Sequence, residues 1–141
     1  YKSVNHPRIR QVQRIEEIAR HSDVISLHVH VTGETEKFIN NKFLNKCKES
    51  ILIVNTSRGE IVNEVDLNNF LSRNKSAKYA TDVLSGEING IYNNPIKKYF
   101  EENPNQVIIT PHIGGMTKEA QNIAFGHAAN LLKEALLNEN L

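Results

Sequence analysis

The chain has 141 residues, enough for one domain with a real core, and a formal net charge of +1 with histidine neutral. Hydrophobic residues make up 39% and aromatics 6%, so the core has to be mostly aliphatic, and without a basic block nucleic acid is not an expected partner. One cysteine, Cys47, excludes an internal disulfide and fits a reducing compartment; no apolar run approaches the roughly 18–20 residues of a membrane span. The first residue is Tyr1, not Met, and Tyr1-Lys2-Ser3 does not open a secretory signal, so a piece of a larger protein is expected.

Residues 1–10 are polar, broken by Pro7, and read as loop. Gln13 to His21 carries Ile15, Ile18 and Ala19 at helical spacing, ended by Ser22-Asp23. Val24 to Val29 is a β-branched run and reads as a strand; Thr32-Gly33-Glu34-Thr35 is a turn. A second helix is predicted over Phe38 to Cys47, with Phe38, Ile39, Phe43 and Leu44 inward, and Cys47 half-buried near its end. Ile51 to Val54 is a continuous apolar run of the kind buried on both faces, in a strand expected over 51–55. Glu64 to Arg73 is a helix with Val65, Leu67, Phe70 and Leu71 inward.

The next strand is expected over 77–82 and the last over 106–110. Between them, residues 84–105 are rich in Asn and Gly, with Pro95 and Pro104 flanking a helix at Ile96–Glu101. Thr117 to Leu137 is a long helix with Thr117 as N-cap and a partial capping box. Strands alternating with helices predict an α/β fold: one parallel sheet, right-handed crossovers, and helices on both faces.

Three motifs follow predicted strands: Asn55-Thr56-Ser57-Arg58-Gly59, Asp82-Val83-Leu84-Ser85-Gly86-Glu87 and Pro111-His112-Ile113-Gly114-Gly115. In a parallel sheet this spacing sets an arginine, a carboxylate and a histidine at one carboxyl edge, where open α/β sheets bind ligands. Alone, each has a bland reading as a solvated arginine, a surface acid or a structural histidine. Together they suggest a chemistry. A guanidinium fork clamps a carboxylate bidentately, an imidazole carries a proton, and a carboxylate orients the ring. Asp82, at its strand terminus, would accept a hydrogen bond from a bound cofactor.

No activated nucleophile accompanies them, since Ser57 and Ser85 lack that context. His6, His21, His30 and His127 have no companion at ligand spacing, so no metal is expected. A carboxylate clamp with a proton shuttle points to reversible reduction of a 2-oxo acid, with a separate carrier supplying hydride.

These motifs resemble the nucleotide-binding domain of the D-isomer-specific 2-hydroxyacid dehydrogenases, which include phosphoglycerate and D-lactate dehydrogenases. The likeness rests on Ser22 to Val29, Asn55 to Val62, Asp82 to Glu87 and Thr110 to Gly115. It implies a partial Rossmann-type domain over residues 1–141, with the glycine-rich first βαβ unit and the substrate domain outside the chain. It implies a catalytic set of Arg58, Glu87 and His112. Arg58 would bind the substrate carboxylate and carbonyl, His112 would be the acid/base, and Glu87 would pair with it. Val29, Thr56, Ser57, Arg58, Asp82, His112, Ile113, Gly114 and Gly115 would line the site for NAD, with NADP as the variant cofactor.

The implied partner is a small 2-oxo or 2-hydroxy acid, and the implied parent is a cytoplasmic homodimer whose isolated 141-residue piece is inactive. Two departures concern backbone: His30 and Ile88 stand where the family has proline, so local loop changes are expected. No G-x-G-x-x-G occurs among the seven glycines, and the acid that grips the adenosine ribose would lie at or before Tyr1. Lys2, near that place, reads as a solvated lysine rather than a 2′-phosphate ligand. The alternative from another class is a non-enzymatic, dinucleotide-sensing module on the same fold, such as a corepressor.

Overall fold

The structure, a computed structural model, describes residues 6–90 and 93–138. The expected loop at residues 1–5, with Lys2, and residues 91–92 lie outside the described residues. The chain divides into two compact units, Tyr1–Ile109 and Thr110–Leu141.

The first unit holds a four-stranded, wholly parallel sheet in chain order: β1 (Val24–Leu27), β2 (Leu52–Asn55), β3 (Lys78–Thr81) and β4 (Val107–Ile109). All four strands fall where the sequence predicts them. β1 is shorter than expected, stopping before His28 and Val29. Helix α1 (Ile15–His21) precedes β1, and α2 (Asn41–Leu44), α3 (Glu64–Arg73) and α4 (Pro95–Glu102) lie in the three crossovers.

Strand alternation sets what the sheet buries. Ile25, Leu27, Ile53, Tyr79 and Val107 point into the core with Leu44, Leu67, Leu71 and Ile96. On the opposite register Val24 and Ile108 are exposed and Val54 and Ala80 half-buried. Within the first unit the helices α1–α4 therefore cover one face of the sheet with one aliphatic core, where helices on both faces are expected from the sequence. Burying such side chains contributes about 1.5–3 kcal/mol each.

α1 starts with Glu16 and Glu17 and ends with Arg20 and His21, the charge order that suits its dipole. Asn63 caps α3 by accepting from Asp66 N at 3.2 Å. Asn94 caps α4, accepting from Ile96 N (2.9 Å) and Lys97 N (3.0 Å), with Pro95 in the first turn.

Two expectations are corrected. The helix predicted over 38–47 is only one turn, because Ile39 is spent on a parallel bridge to Val62. Ile39 N donates to Ile61 O, and Asn63 N donates to Ile39 O. On α3, Val65 is not inward but 57% exposed, whereas Glu64 is 6% exposed. Positions 64, 67 and 71 form the i, i+3, i+7 stripe, and Val65 lies about 100° off it.

The second unit carries α5 (Lys118–Asn138), and Thr117 Oγ1 accepts from Ala120 N at 3.1 Å, the cap expected of it. Among the described residues no helix is long and apolar enough to cross a membrane.

Cys47 is half-buried just past α2, and burial pushes its thiol up to about 11. At pH 8 the native thiol should therefore alkylate at least tenfold more slowly than the same thiol in urea, because the thiolate is the nucleophile. Timed iodoacetamide labelling followed by mass spectrometry checks this, and equal rates would refute it.

Candidate active site

β1, β2 and β3 end level, with Leu27, Asn55 and Thr81 in register. The residues just beyond, Val29, Thr56 and Asp82, therefore stand along one carboxyl edge. Val29 and Thr56 are exposed, while Asp82 is 8% exposed.

The turn that carries Arg58 is built from Asn55, which is wholly buried. Its Oδ1 accepts from Ser57 N at 3.0 Å, and its Nδ2 donates to Arg58 O at 2.9 Å. Ser57 Oγ donates to Leu27 O at 2.7 Å, tying the turn to β1. Behind it Tyr79 is buried, which pushes its phenol up to about 12. The Arg58 guanidinium is exposed and donates through Nη1 to Ser57 O at 2.7 Å. Among the described residues it forms no ion pair.

Gly59 explains itself by contact. A Cβ there would lie 2.1 Å from both Leu84 C and Ser85 N. The Arg58 turn thus rests directly on the peptide that leads to Glu87, and only a residue without a side chain permits it.

The Asp82–Glu87 loop leaves β3 with Asp82 N donating to Asn55 O at 3.0 Å, and Val83 N donating to Thr81 Oγ1 at 3.1 Å. Gly86 adopts φ +72°, and a short 3-10 turn, Glu87–Asn89, follows. Three successive amides of this loop each meet a different carboxylate. Leu84 N donates to Glu87 Oε2 (3.2 Å), Ser85 N to Glu64 Oε1 (2.9 Å) and Gly86 N to Glu60 Oε1 (3.3 Å). Asn94 Nδ2 donates to Glu64 Oε2. Burial pushes the Glu64 carboxyl above the usual range; the bonds from Ser85 and Asn94 pull it back, and Glu60 and Glu87 add to the rise.

The structure brings Arg58, Asp82 and Glu87 to the same end of the first unit. His112 belongs to the second unit. Its φ is +54°, an uncommon conformation for a residue with a side chain, and its amide donates to Thr110 O at 3.0 Å. Met116 N donates to Ile113 O at 2.9 Å, closing the turn over Ile113, Gly114 and Gly115. At the two departures from the family's prolines, His30 O accepts from Thr35 Oγ1 at 2.5 Å and Ile88 is 95% exposed.

Sequence reasoning missed Asn55, Glu60, Glu64 and Asn94, the residues that shape the two loops. An acid in a first helical turn ordinarily serves the helix dipole, which hid Glu64. The one available signal is that Glu64 shares the helical stripe of Leu67 and Leu71.

The edge has room and polar groups that could hold part of a cofactor. It offers the exposed Val29 and Thr56, with the carboxyl of Asp82 beside them at a strand terminus. The glycine-rich turn that cradles the pyrophosphate in such folds is not among the seven glycines of this chain.

A parallel sheet with its polar loops at the carboxyl edge places the first unit in the open α/β class of domain, which binds ligands outside that edge. Residues 2–114 match the family described as D-isomer specific 2-hydroxyacid dehydrogenase, NAD binding domain, and the chain belongs to that family. It is 37% identical over 120 residues to D-3-phosphoglycerate dehydrogenase 1 of Saccharomyces cerevisiae, covering 80% of this chain and 25% of that protein. It is 36% identical over 126 residues to hydroxypyruvate reductase of Blautia hydrogenotrophica, covering 86% of this chain and 36% of that protein. Among solved structures, D-lactate dehydrogenase from Aquifex aeolicus, complexed with NAD and lactic acid, aligns with a TM-score of 0.69 and 28% identity. That alignment covers 88% of this chain and 40% of the other.

Proposed function

We propose that the chain forms part of the NAD-binding domain of an oxidoreductase that interconverts a 2-hydroxy acid and a 2-oxo acid, with Arg58, Glu87 and His112 as its catalytic residues. The observation that carries this reading is the direct seating of the Arg58 turn on the Glu87 loop through Gly59, at the carboxyl edge of the sheet. Two remote motifs are thereby held as one piece. The relatives named above are dehydrogenases and reductases, which favours an enzyme over a sensing module.

Bound NAD would supply the hydride carrier. The rest falls to the chain. Arg58 clamps the substrate carboxylate with its planar fork and polarises the adjacent carbonyl. His112 delivers a proton to the carbonyl oxygen in reduction and takes it back in oxidation. Glu87 accepts from the ring and holds the protonated form in place. Val29, Thr56, Ser57, Asp82 and residues 112–115 line the dinucleotide. The protein acts in the cytoplasm as a homodimer, in keeping with its single cysteine and with the resemblance.

The 141-residue chain by itself should show negligible turnover and weak NAD binding, because the phosphate-cradling turn supplies much of a dinucleotide's grip. Calorimetry with NAD and NADP should give no heat at tens of micromolar. A micromolar Kd would overturn this division of labour.

A further inference from the structure

We infer that Glu64 is a positioning residue that sets Glu87 against Arg58. This rests on the proposal that those two residues are catalytic.

Glu64 begins α3 and is 6% exposed, and among the described residues it forms no ion pair. A carboxylate that deeply buried is costly unless its oxygens are spent on hydrogen bonds. Both are. Oε1 takes the Ser85 amide at 2.9 Å, and Oε2 takes the Asn94 side chain. Asn94 is itself 7% exposed, donates also to Ser85 O at 3.3 Å, and caps α4 with its own oxygen. One buried pair thus grips both backbone polar groups of Ser85, two residues before Glu87.

The same peptide also packs directly on Gly59, one residue after Arg58. The Leu84–Ser85 peptide therefore touches both the Arg58 turn and the start of α3. Gly86 then turns at φ +72° and presents Glu87, whose Oε2 accepts from Leu84 N at 3.2 Å.

A helix-dipole role for Glu64 would be served as well by an exposed acid. Such a role does not account for burial, for three carboxylates sharing three consecutive amides, or for the Asn94 pairing. Glu60 assists from the half-buried side by accepting from Gly86 N at 3.3 Å. Clustering Glu60, Glu64 and Glu87 opposes itself by like-charge repulsion, and the amides offset that repulsion.

The test uses the full encoded protein with NADH and either pyruvate or hydroxypyruvate as probe, comparing Glu64→Ala, Glu64→Gln, Glu87→Gln and His112→Ala. Two readouts are taken: kcat and KM, and amide hydrogen exchange over residues 84–87. Glu64→Ala should speed exchange at 84–87 by about tenfold or more, the scale of a lost charge-assisted hydrogen bond, while residues 51–55 keep their protection. It should lower kcat by about tenfold and leave KM within about twofold. Glu64→Gln keeps the oxygen that accepts from Ser85 N, so both effects should be smaller, which also covers the case of an alanine variant that does not fold.

The inference is overturned if Glu64→Gln and Glu64→Ala leave exchange at 84–87 unchanged. It is equally overturned if protection falls uniformly over the domain, or if Glu87→Gln lowers kcat and the Glu64 variants do not. A different result marks failure of the underlying proposal: Glu87→Gln and His112→Ala both turning over at the wild-type rate, which removes the catalytic role whatever the exchange data show.

Discussion

Gly59→Ala is expected to destabilise the protein by about 3 kcal/mol, the upper range for overpacking a filled site. The usual effect of exchanging glycine for alanine in compatible backbone has the opposite sign, a gain of about 0.4–1 kcal/mol from the unfolded chain. Here the added methyl would lie 2.1 Å from two backbone atoms of residues 84 and 85. Backbone cannot swing aside as a side-chain tip can, so either the Arg58 turn or the Glu87 loop has to move. The loop is tied at Leu84, Ser85 and Gly86 to three carboxylates, and the turn at Asn55 and Ser57 to β1 and β2. Displacement therefore breaks several hydrogen bonds at once. Urea unfolding followed by circular dichroism measures the change directly, and a shift within about 0.5 kcal/mol would show that the contact relaxes freely.

His112→Ala in the full encoded protein is expected to lower the rate of 2-oxo acid reduction by roughly 10²–10⁴-fold, the scale of a positioned acid/base. NAD affinity should change far less than the rate, because the imidazole, though it lines the dinucleotide, has its proposed chemical role at the substrate carbonyl. Arg58→Lys separates the two halves of the proposal. An ammonium cannot reproduce the planar fork, so KM for the 2-oxo acid should rise more than kcat falls. Arg58 is exposed and bonds only to its own turn among the described residues, so this substitution should leave stability within about 0.5 kcal/mol. Steady-state kinetics with NADH, together with dinucleotide titration by fluorescence, reads all three quantities. Near wild-type turnover in His112→Ala would show that the proton shuttle lies elsewhere.

The apolar runs within 24–29, 51–54 and 107–109 determined three strands by themselves, because consecutive β-branched and aliphatic residues have few other ways to leave water, while the strand at 78–81, Lys78-Tyr79-Ala80-Thr81, was placed by its position between two helical patterns. Their regular alternation with helical patterns determined the parallel order, since a parallel pair needs a crossover between its strands. Thr117 was legible as a helix start from local chemistry alone. The two motifs ending in Arg58 and Glu87 were likewise legible, and strand register was enough to place them at one edge.

Only the tertiary structure decided which side chains serve those motifs. Helical spacing placed Glu64 on the stripe of Leu67 and Leu71, yet its acid head argued against burial, and Val65 looked the better core residue. The deciding partners, Ser85 and Asn94, lie 21 and 30 residues further along the chain. Likewise Phe38 and Ile39 carry a helical pattern, and a bridge to Val62 overrides it. Gly59 reads locally as a turn glycine; its need for no side chain comes from a peptide 25 residues away. Local pattern reports how residues sit relative to their own helix or strand axis. Which buried polar group meets which depends on loops packing across the sheet edge, and no short window of sequence contains both members of such a pair.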